Sequence, residues 1–311
     1  MKFDKNMYII NYHNILFGEA DSFDLKLLRI SKSQFEEEIK FLVTNYEIVS
    51  VKDIVQNIDS ITINQSNEKI AITFDDGYLG SLKYAIPVLQ KYNIPATFYI
   101  VSNYVDYHED YKYYDSIEVA FRLAKVDKID LSFLDLGICS IEKEELKIKT
   151  MKNIKKKLKI QDIALRQKNK QLIHELLNVT VEEMNNYIHG QEKYLFMSWK
   201  DLNYIKSLGY DIGSHTCSHP TLSTMSIEDA YNELSISYSV IKKNLNIYDL
   251  SFAYPHGNIQ HIGDLIPNII TQIGYSFAVT AIPGKINSFT NKFLINRMTF
   301  EKFLEYKKIS I

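Results

Sequence analysis

The stretch KIAITFDDGYLGS, residues 69–81, decides the fold. After its first lysine it is apolar and partly β-branched, and it then ends in two adjacent carboxylates, Asp75 and Asp76, followed by Gly77. Such an apolar run is typical of a strand buried on both faces, as in a parallel sheet. Two neighbouring carboxylates repel each other, which drives one toward its neutral form unless a cation lies close by. The pair is therefore either a capped turn or part of a cation site.

Around this stretch, short apolar runs alternate with longer segments of helical period. The clearest are MYIINYH (7–13), SQFEEEIKFLVTNY (33–46), KIAITFDD (69–76), SLKYAIPVLQKYN (81–93) and ATFYIVSN (96–103). The alternation resumes after residue 197 and ends with FLINRMTF (293–300). This pattern of seven or eight strand candidates, most followed by a helix, predicts an α/β barrel or a doubly wound sheet.

Residues 104–196 interrupt the pattern with a Lys-rich segment of helical period, which we interpret as a helical insertion. Its lysine run, EKEELKIKTMKNIKKKLKIQ (142–161), is best explained as a solvated helix face. Contact with an anionic lipid or a nucleotide diphosphate is the alternative.

Composition argues against several functional classes. The chain has 311 residues, with 36 Lys and Arg against 38 Asp and Glu, so no global charge favours nucleic acid. No apolar run approaches a membrane span, and the first residues lack a secretory pattern. The two cysteines show no CxxC spacing, which indicates a reducing compartment. We expect a cytoplasmic protein with no nucleic-acid partner and no stable membrane insertion, whose oligomeric state the sequence leaves open.

Polar residues collect where the predicted strands end. They are His13 after the first strand, Asp75 and Asp76 after KIAITF, His215 and His219 after YDIGS, and Tyr254, Pro255, His256 and Gly257 after LSFA. Because the carboxyl ends of parallel strands meet at one edge of a sheet, we expect a single site there.

The segment SHTCSHP (214–220) carries two histidines four residues apart. If the segment starts a helical turn, both imidazoles face one way and can bind a divalent metal. A carboxylate from another strand end would complete a three-ligand set with open positions. One of the two aspartates could then bind the metal while the other takes a proton from water, as in metal-assisted hydrolysis. A rival is a non-haem iron enzyme, which uses the same kind of ligand set.

Three motifs, TFDDGY, SHTCSHP and FAYPHGN, resemble in order and separation the leading motifs of the polysaccharide deacetylases, carbohydrate esterase family 4. INYHNI and ISKSQFEEEIKFL are similar to the YH strand and first helix of the branch that acts on surface polysaccharides. The resemblance implies one catalytic domain over residues 1–311, a distorted (β/α) barrel of about seven strands with the 104–196 insertion. It also implies a hydrolase that uses zinc or another divalent transition metal. The implied substrate is an N-acyl group, acetyl or formyl, on an amino sugar or on a nucleotide- or lipid-linked glycan precursor.

The resemblance further assigns roles to the strand-end residues. It implies that Asp75 is the catalytic base and that Asp76, His215 and His219 are the metal ligands. A catalytically inactive glycan-binding barrel is the alternative to an enzyme.

The remaining roles come from the first and third motifs. No late histidine motif follows residue 261, so the branch resemblance implies that His13 is the general acid. Family resemblance also implies that the backbone N–H of His256, next to Tyr254 and Pro255, contributes to an oxyanion hole.

One position departs from the family pattern. The third motif often carries an arginine where this chain has Ala253. We predict that Arg297 replaces it and orients Asp75, with a surface or core salt bridge as the alternative.

Overall fold

The computed structural model describes residues 7–24, 28–58, 68–106 and 112–309. Within them the strands are β1 (Met7–Tyr12), β2 (Asn14–Leu16), β3 (Arg29–Ser31), β4 (Glu47–Ile48), β5 (Lys69–Phe74), β6 (Thr97–Ile100), β7 (Lys128–Asp130), β8 (Ile138–Ser140), β9 (Asp211–Ser214), β10 (Phe252–Ala253) and β11 (Ala278–Val279). The α-helices are α1 (Lys32–Asn45), α2 (Val51–Gln56), α3 (Ile86–Lys91), α4 (Tyr113–Leu123), α5 (Glu144–Lys159), α6 (Ile163–Leu176), α7 (Val181–His189), α8 (Trp199–Ser207), α9 (Ile227–Leu245), α10 (Ile259–Ile262), α11 (Ile266–Ile273) and α12 (Phe300–Lys307).

The main sheet is parallel and curls into a distorted barrel. Its strands follow the order β1, β5, β6, β9, β10, β11, and β4 pairs with the start of β5. The segment from Ile295 to Met298 joins the two edges: Ile295 N–H donates to the Ala278 carbonyl at 3.0 Å, and Asn11 N–H donates to the Met298 carbonyl at 2.9 Å. The predicted α/β barrel class is confirmed, although FLINRMTF contributes isolated bridges rather than a regular strand.

Burial explains why the strand sequences are nearly continuous apolar runs. All six residues of β1 are buried, because one face meets the barrel interior and the other meets the surrounding helices. Helix α1 begins at its N-cap Ser31, whose side chain accepts from the Gln34 N–H. Its buried residues, Phe35, Ile39 and Leu42, repeat at helical spacing and join the main core.

The segment between β6 and α8 contains α4 to α7 and the antiparallel hairpin β7–β8. A purely helical insertion is therefore an incomplete prediction. Its buried side chains form a second apolar cluster, which includes Ile117, Phe121, Met151, Ile173 and Ile188. Residues 107–111 of the predicted insertion lie outside the described residues. Among the described helices, none combines the length and apolarity that a membrane crossing requires.

Buried charges tie this segment to the N-terminal part of the barrel. Arg29, in β3, pairs with Asp115 at 2.5 Å and with Glu118 at 2.9 Å, both in α4. Lys155 of the lysine run is only 3% exposed and lies 3.5 Å from Glu118. The interpretation of the run as a solvated face is therefore wrong at Lys155, whose charge is needed inside this network.

Candidate metal centre and active site

The turn after β5 separates the two adjacent carboxylates. Asp75 continues the strand, and its N–H donates to the Tyr12 carbonyl at 2.9 Å. Asp76 and Gly77 then adopt left-handed backbone angles, with φ of 76° and 81°. This conformation is unfavourable for a residue other than glycine, and it is typical of functional sites. As a result, the two carboxylates meet different partners.

The carboxylate of Asp75 is held by Arg297. The guanidinium donates two parallel bonds, from Nη1 to Oδ1 at 2.8 Å and from Nη2 to Oδ2 at 2.7 Å, and Asn11 Nδ2 donates to Oδ2 at 3.1 Å. Burial alone would raise the pKa of Asp75, but the Arg297 charge, assisted by His215, holds that pKa well below its usual range. Asp75 is therefore an ionised carboxylate in a fixed orientation.

Arg297 is itself completely buried and fixed from several sides. Its Nε donates to the Thr280 carbonyl at 2.7 Å, and its Nη1 lies 3.1 Å from Thr73 Oγ1. The structure places the predicted replacement arginine on Asp75, as a core ion pair. That it also orients Asp75 for catalysis remains a prediction.

The segment SHTCSHP does not form a helical turn, which was the condition under which helical spacing would place both imidazoles on one side. Instead, Thr216 and His219 have left-handed φ values of 71° and 57°, and the His219 N–H donates to Thr216 Oγ1 at 3.0 Å. The tight turn still brings the His215 and His219 rings together, with centroids 4.9 Å apart.

Asp76, His215 and His219 converge on one point, and each offers a ligand atom within 4.8 Å of the others. Asp76 Oδ1 lies 3.4 Å from His219 Nε2 and 3.8 Å from His215 Nε2. His215 Nδ1 donates to the Ala253 carbonyl at 2.7 Å, so its lone pair is on Nε2, toward Asp76. Asp76 Oδ1 has no hydrogen-bond partner among the described residues. These buried, convergent acceptors fit a divalent transition metal.

Lys112 completes the surroundings of Asp76. Its Nζ forms an ion pair with Asp76 Oδ2, and the lysine is only 3% exposed. Burial opposes ionisation of Asp76, whereas the Lys112 charge lowers the pKa of this carboxyl. One carboxylate oxygen is thus occupied by Lys112, and the other faces the two imidazoles.

Sequence reasoning missed two of these contacts. Lys112 follows no motif, because it comes from the 104–196 segment and only the fold brings it to β5. Asn11 precedes the YH pair by one residue, and the alternation of side chains along β1 could have placed it on the same face as His13.

A cavity of about 800 Å³ opens above Asp75. His13, Tyr254 and His256 line it, together with His215, His219 and Arg297. Burial lowers the pKa of His13 against the opposing charges of Asp76 and Asp75. Tyr254 is anchored through its hydroxyl, which donates to the Phe293 carbonyl at 2.8 Å.

The third motif forms a tight turn at the rim. His256 and Gly257 have left-handed φ values of 61° and 59°, and the Gly257 N–H donates to the Pro255 carbonyl at 2.7 Å. A Cβ at Gly257 would lie 2.3 Å from the Ala281 nitrogen, so only glycine fits there. The His256 ring lies 4.8 Å from that of His219. The four predicted strand-end clusters therefore lie around one cavity.

A parallel barrel with its polar residues at the carboxyl edge of the strands is the architecture of an α/β-barrel enzyme. The family model for polysaccharide deacetylase matches residues 62–278, which is more than half of the chain. The chain belongs to the polysaccharide deacetylase family. The YH branch within that family remains a prediction.

One curated relative resembles the chain in sequence. YxkH of Bacillus subtilis (strain 168), whose name places it among the polysaccharide deacetylases, is 34% identical over 98 residues, which are 30% of this chain and 31% of YxkH. The chain thus matches about a third of the length of this curated relative.

Solved structures share the fold over nearly the whole chain. The deacetylase PplD of Streptococcus pyogenes, solved with acetate, has a TM-score of 0.60 at 15% identity and covers 96% of this chain and 97% of its own. The polysaccharide deacetylase BC0361 of Bacillus cereus has a TM-score of 0.58 at 18% identity, covering 98% and 70%. IcaB of Ammonifex degensii also has 0.58, at 15% identity, with 97% of each chain covered. At these identities the likeness shows the fold.

Proposed function

We propose that the protein is a metal-dependent amide hydrolase that removes an N-acyl group, acetyl first and formyl as the alternative, from an amino sugar in a glycan or glycan precursor. The observation that carries this proposal is the convergence of Asp76, His215 and His219 beside the separately held carboxylate of Asp75. Membership of the polysaccharide deacetylase family supports the amide-hydrolysis class and the glycan substrate.

The proposed metal ligands are Asp76, His215 and His219. Zinc or another divalent transition metal bound there would supply a Lewis acid for the acyl carbonyl and would make water easier to deprotonate. Asp75 is the proposed base. Since Arg297 and Asn11 hold its carboxylate, it can accept a proton from the attacking water without changing its orientation.

Hydrolysis releases an amine, which leaves only after it has gained a proton. We assign this proton delivery to His13, which lines the cavity. Since burial lowers the pKa of His13, its imidazole is neutral at rest and has to receive the proton that water gives up before it can pass it on. The products are a carboxylate and a protonated amine, which together retain both protons of the attacking water, so the protons balance without an external acid.

The remaining roles concern the shape and charge of the cavity. We assign the backbone N–H of His256 to the developing oxyanion, because the left-handed turn at Pro255, His256 and Gly257 exposes the backbone beside the ligand histidines. Tyr254, fixed through its hydroxyl, forms part of the wall against which the sugar binds.

A turnover assay with purified, zinc-loaded protein tests the proposal. N-acetyl and N-formyl amino sugars and chitin oligomers are supplied, and released acetate or formate is measured under air and under argon. We expect about one zinc per chain, oxygen-independent release of acid, and loss of most zinc in His215→Ala and His219→Ala. His189→Ala, a histidine remote from these motifs in the sequence, is the control and keeps its zinc. Full zinc occupancy in both ligand variants, or no release from any substrate, would overturn the proposal.

A further inference from the structure

One wall of the cavity is built by the lysine run. Lys152 and Lys159 of α5 both line the cavity and lie seven residues apart, on one face of the helix. Neither forms an ion pair with a described carboxylate. Asp24, which also lines the cavity, is neutralised by Arg29 at 2.7 Å and by Lys193 at 3.0 Å. The cavity lining therefore contains an acid that is already paired and two ammonium groups that have no carboxylate partner among the described residues.

A buried guanidinium lies behind this wall. Arg166 of α6 is only 6% exposed, and its guanidinium stacks on the Tyr113 ring at 4.6 Å. Its Nη1 has no hydrogen-bond partner among the described residues, and the side chain pairs with no described carboxylate. Buried donors in folded proteins nearly always have partners, and a buried cation without an anion is costly. Arg166 therefore has no anionic partner within the described residues, and an anionic ligand would supply one.

Aromatic rings connect Arg166 to the cavity. The Tyr113 and Tyr114 rings lie 4.3 Å apart, and Tyr114, which lines the cavity, lies 5.9 Å from the His256 ring. The Arg166 charge also acts on the His256 imidazole.

Two imidazoles complete the same region. His256 and His261 have ring centroids 5.7 Å apart, and His256 Nε2 and His261 Nδ1 are buried without described partners. Burial, and then the charge of Lys159, lowers the pKa of His261 to about 4. An imidazole carries an N–H whichever tautomer it adopts, so each ring can donate a hydrogen bond. We call the group Lys159, Arg166, His256 and His261 the basic corner.

We propose that the basic corner binds an oxyanion, a phosphate or a carboxylate, that is covalently attached to the amino sugar. Two cations and two imidazole N–H donors, none with an acidic partner among the described residues, form a site suited to such a group. His256 links the corner to the metal centre, because its ring lies 4.8 Å from that of the proposed ligand His219. The acyl group and the anionic group are therefore near neighbours in the substrate, which is an acidic glycan or a glycosyl phosphate.

This inference rests on the proposed function, because the anionic group is attached to the sugar that is hydrolysed. Two measurements distinguish failure of the oxyanion site from failure of the proposed hydrolysis. The first is kinetic. Wild-type protein is assayed with N-acetylglucosamine, N-acetylglucosamine 1-phosphate and N-acetylmuramic acid, so that neutral, phosphate and carboxylate substrates are compared. We expect kcat/KM to be at least 10-fold higher for one of the anionic substrates than for the neutral sugar, through a lower KM. The anionic substrate that is preferred shows whether the oxyanion is a phosphate or a carboxylate.

Substitutions assign that preference to the basic corner. Arg166→Met and Lys159→Met should each lower kcat/KM for the anionic substrate by about 10- to 100-fold, the value of a charged hydrogen bond, and leave the neutral substrate within about threefold. Lys156→Met removes an exposed lysine from the same helix and should change neither substrate. Equal losses on neutral and anionic substrates in both corner variants would overturn the inference.

The second measurement does not depend on turnover. Binding of inorganic phosphate to metal-free protein is followed by titration calorimetry, with melting temperature as the check on folding. We expect one phosphate site in wild type and in Lys156→Met, weakened at least 10-fold in Arg166→Met and Lys159→Met. If phosphate binds in this way but no substrate is hydrolysed, the proposed function fails and the basic corner stands. If substrates are hydrolysed without preference for an anion and phosphate does not bind, the inference alone fails.

Discussion

Replacing Arg297 by methionine tests the core of the site most directly. The change removes both bonds to Asp75 and leaves a carboxylate that is 3% exposed without its cation. Breaking a buried ion pair by removing one partner costs about 3 to 5 kcal/mol of unfolding free energy. Such a loss corresponds to a drop in melting temperature on the order of 10 °C. Urea unfolding followed by circular dichroism measures it, with the exposed Lys292→Met as the matched control, expected within about 0.5 kcal/mol of wild type.

A double variant tests whether the stability lost in Arg297→Met comes from the unpaired charge of Asp75. In Arg297→Met/Asp75→Asn the buried charge is absent, so stability should partly return relative to Arg297→Met alone. Arg297→Lys should keep the charge but lose the parallel bonds, which gives intermediate stability, unchanged metal content and a lowered kcat. The reasoning is refuted if Arg297→Met is as stable as Lys292→Met, or if the double variant is no more stable than Arg297→Met.

Three further outcomes are expected. Asp76→Asn should lose metal, whereas Asp75→Asn should keep metal, measured by elemental analysis, and lose turnover by about 100- to 10,000-fold; equal metal loss in both would contradict the separation of roles. His13→Ala should lose amide hydrolysis by about 100-fold or more but hydrolyse an aryl acetate almost normally, because an aryl alcohol leaves without a proton, so an equal loss on both substrates would exclude the acid role. Burial raises the pKa of Glu38 to about 7. Since the folded state then binds this proton more tightly than the unfolded state, the contribution of Glu38 to the unfolding free energy should fall by on the order of 2 kcal/mol from about pH 4.5 to 7; urea titrations of wild type and Glu38→Gln measure it as the change with pH in the difference between the two proteins.

Much of the fold could be predicted because local patterns and the final structure agree. The run at 69–74 is buried strand, and Phe35, Ile39 and Leu42 mark the inner face of α1 at helical spacing. The strand-end positions of His13 and Asp75 then placed them at one edge, since parallel strands share a direction. The shared direction of the parallel strands was therefore enough to predict that His13 and Asp75 belong to one site.

The rest depended on contacts that no local pattern contains. Lys112 reaches Asp76 through the packing of its segment against the barrel, to which the ion pair between Arg29 and Asp115 contributes. The pairing of β7 with β8 joins runs of only three residues, too short to stand out from a helical background. The turn at 215–219 depends on the left-handed Thr216, a conformation that a threonine adopts only when its surroundings impose it.

Closure of the barrel by the segment between Ile295 and Met298 has a consequence for how the protein matures. Arg297 lies within that segment, 222 residues beyond the carboxylate it holds. During synthesis, chains fold broadly from the N-terminus, so β1, β5 and β6 can pair long before residue 297 leaves the ribosome. Until then Asp75 has no guanidinium and remains hydrated. The barrel therefore stays open between β1 and β11 until this segment is in place. When the segment closes the barrel, Asp75 gains its ion pair with Arg297 in the same step.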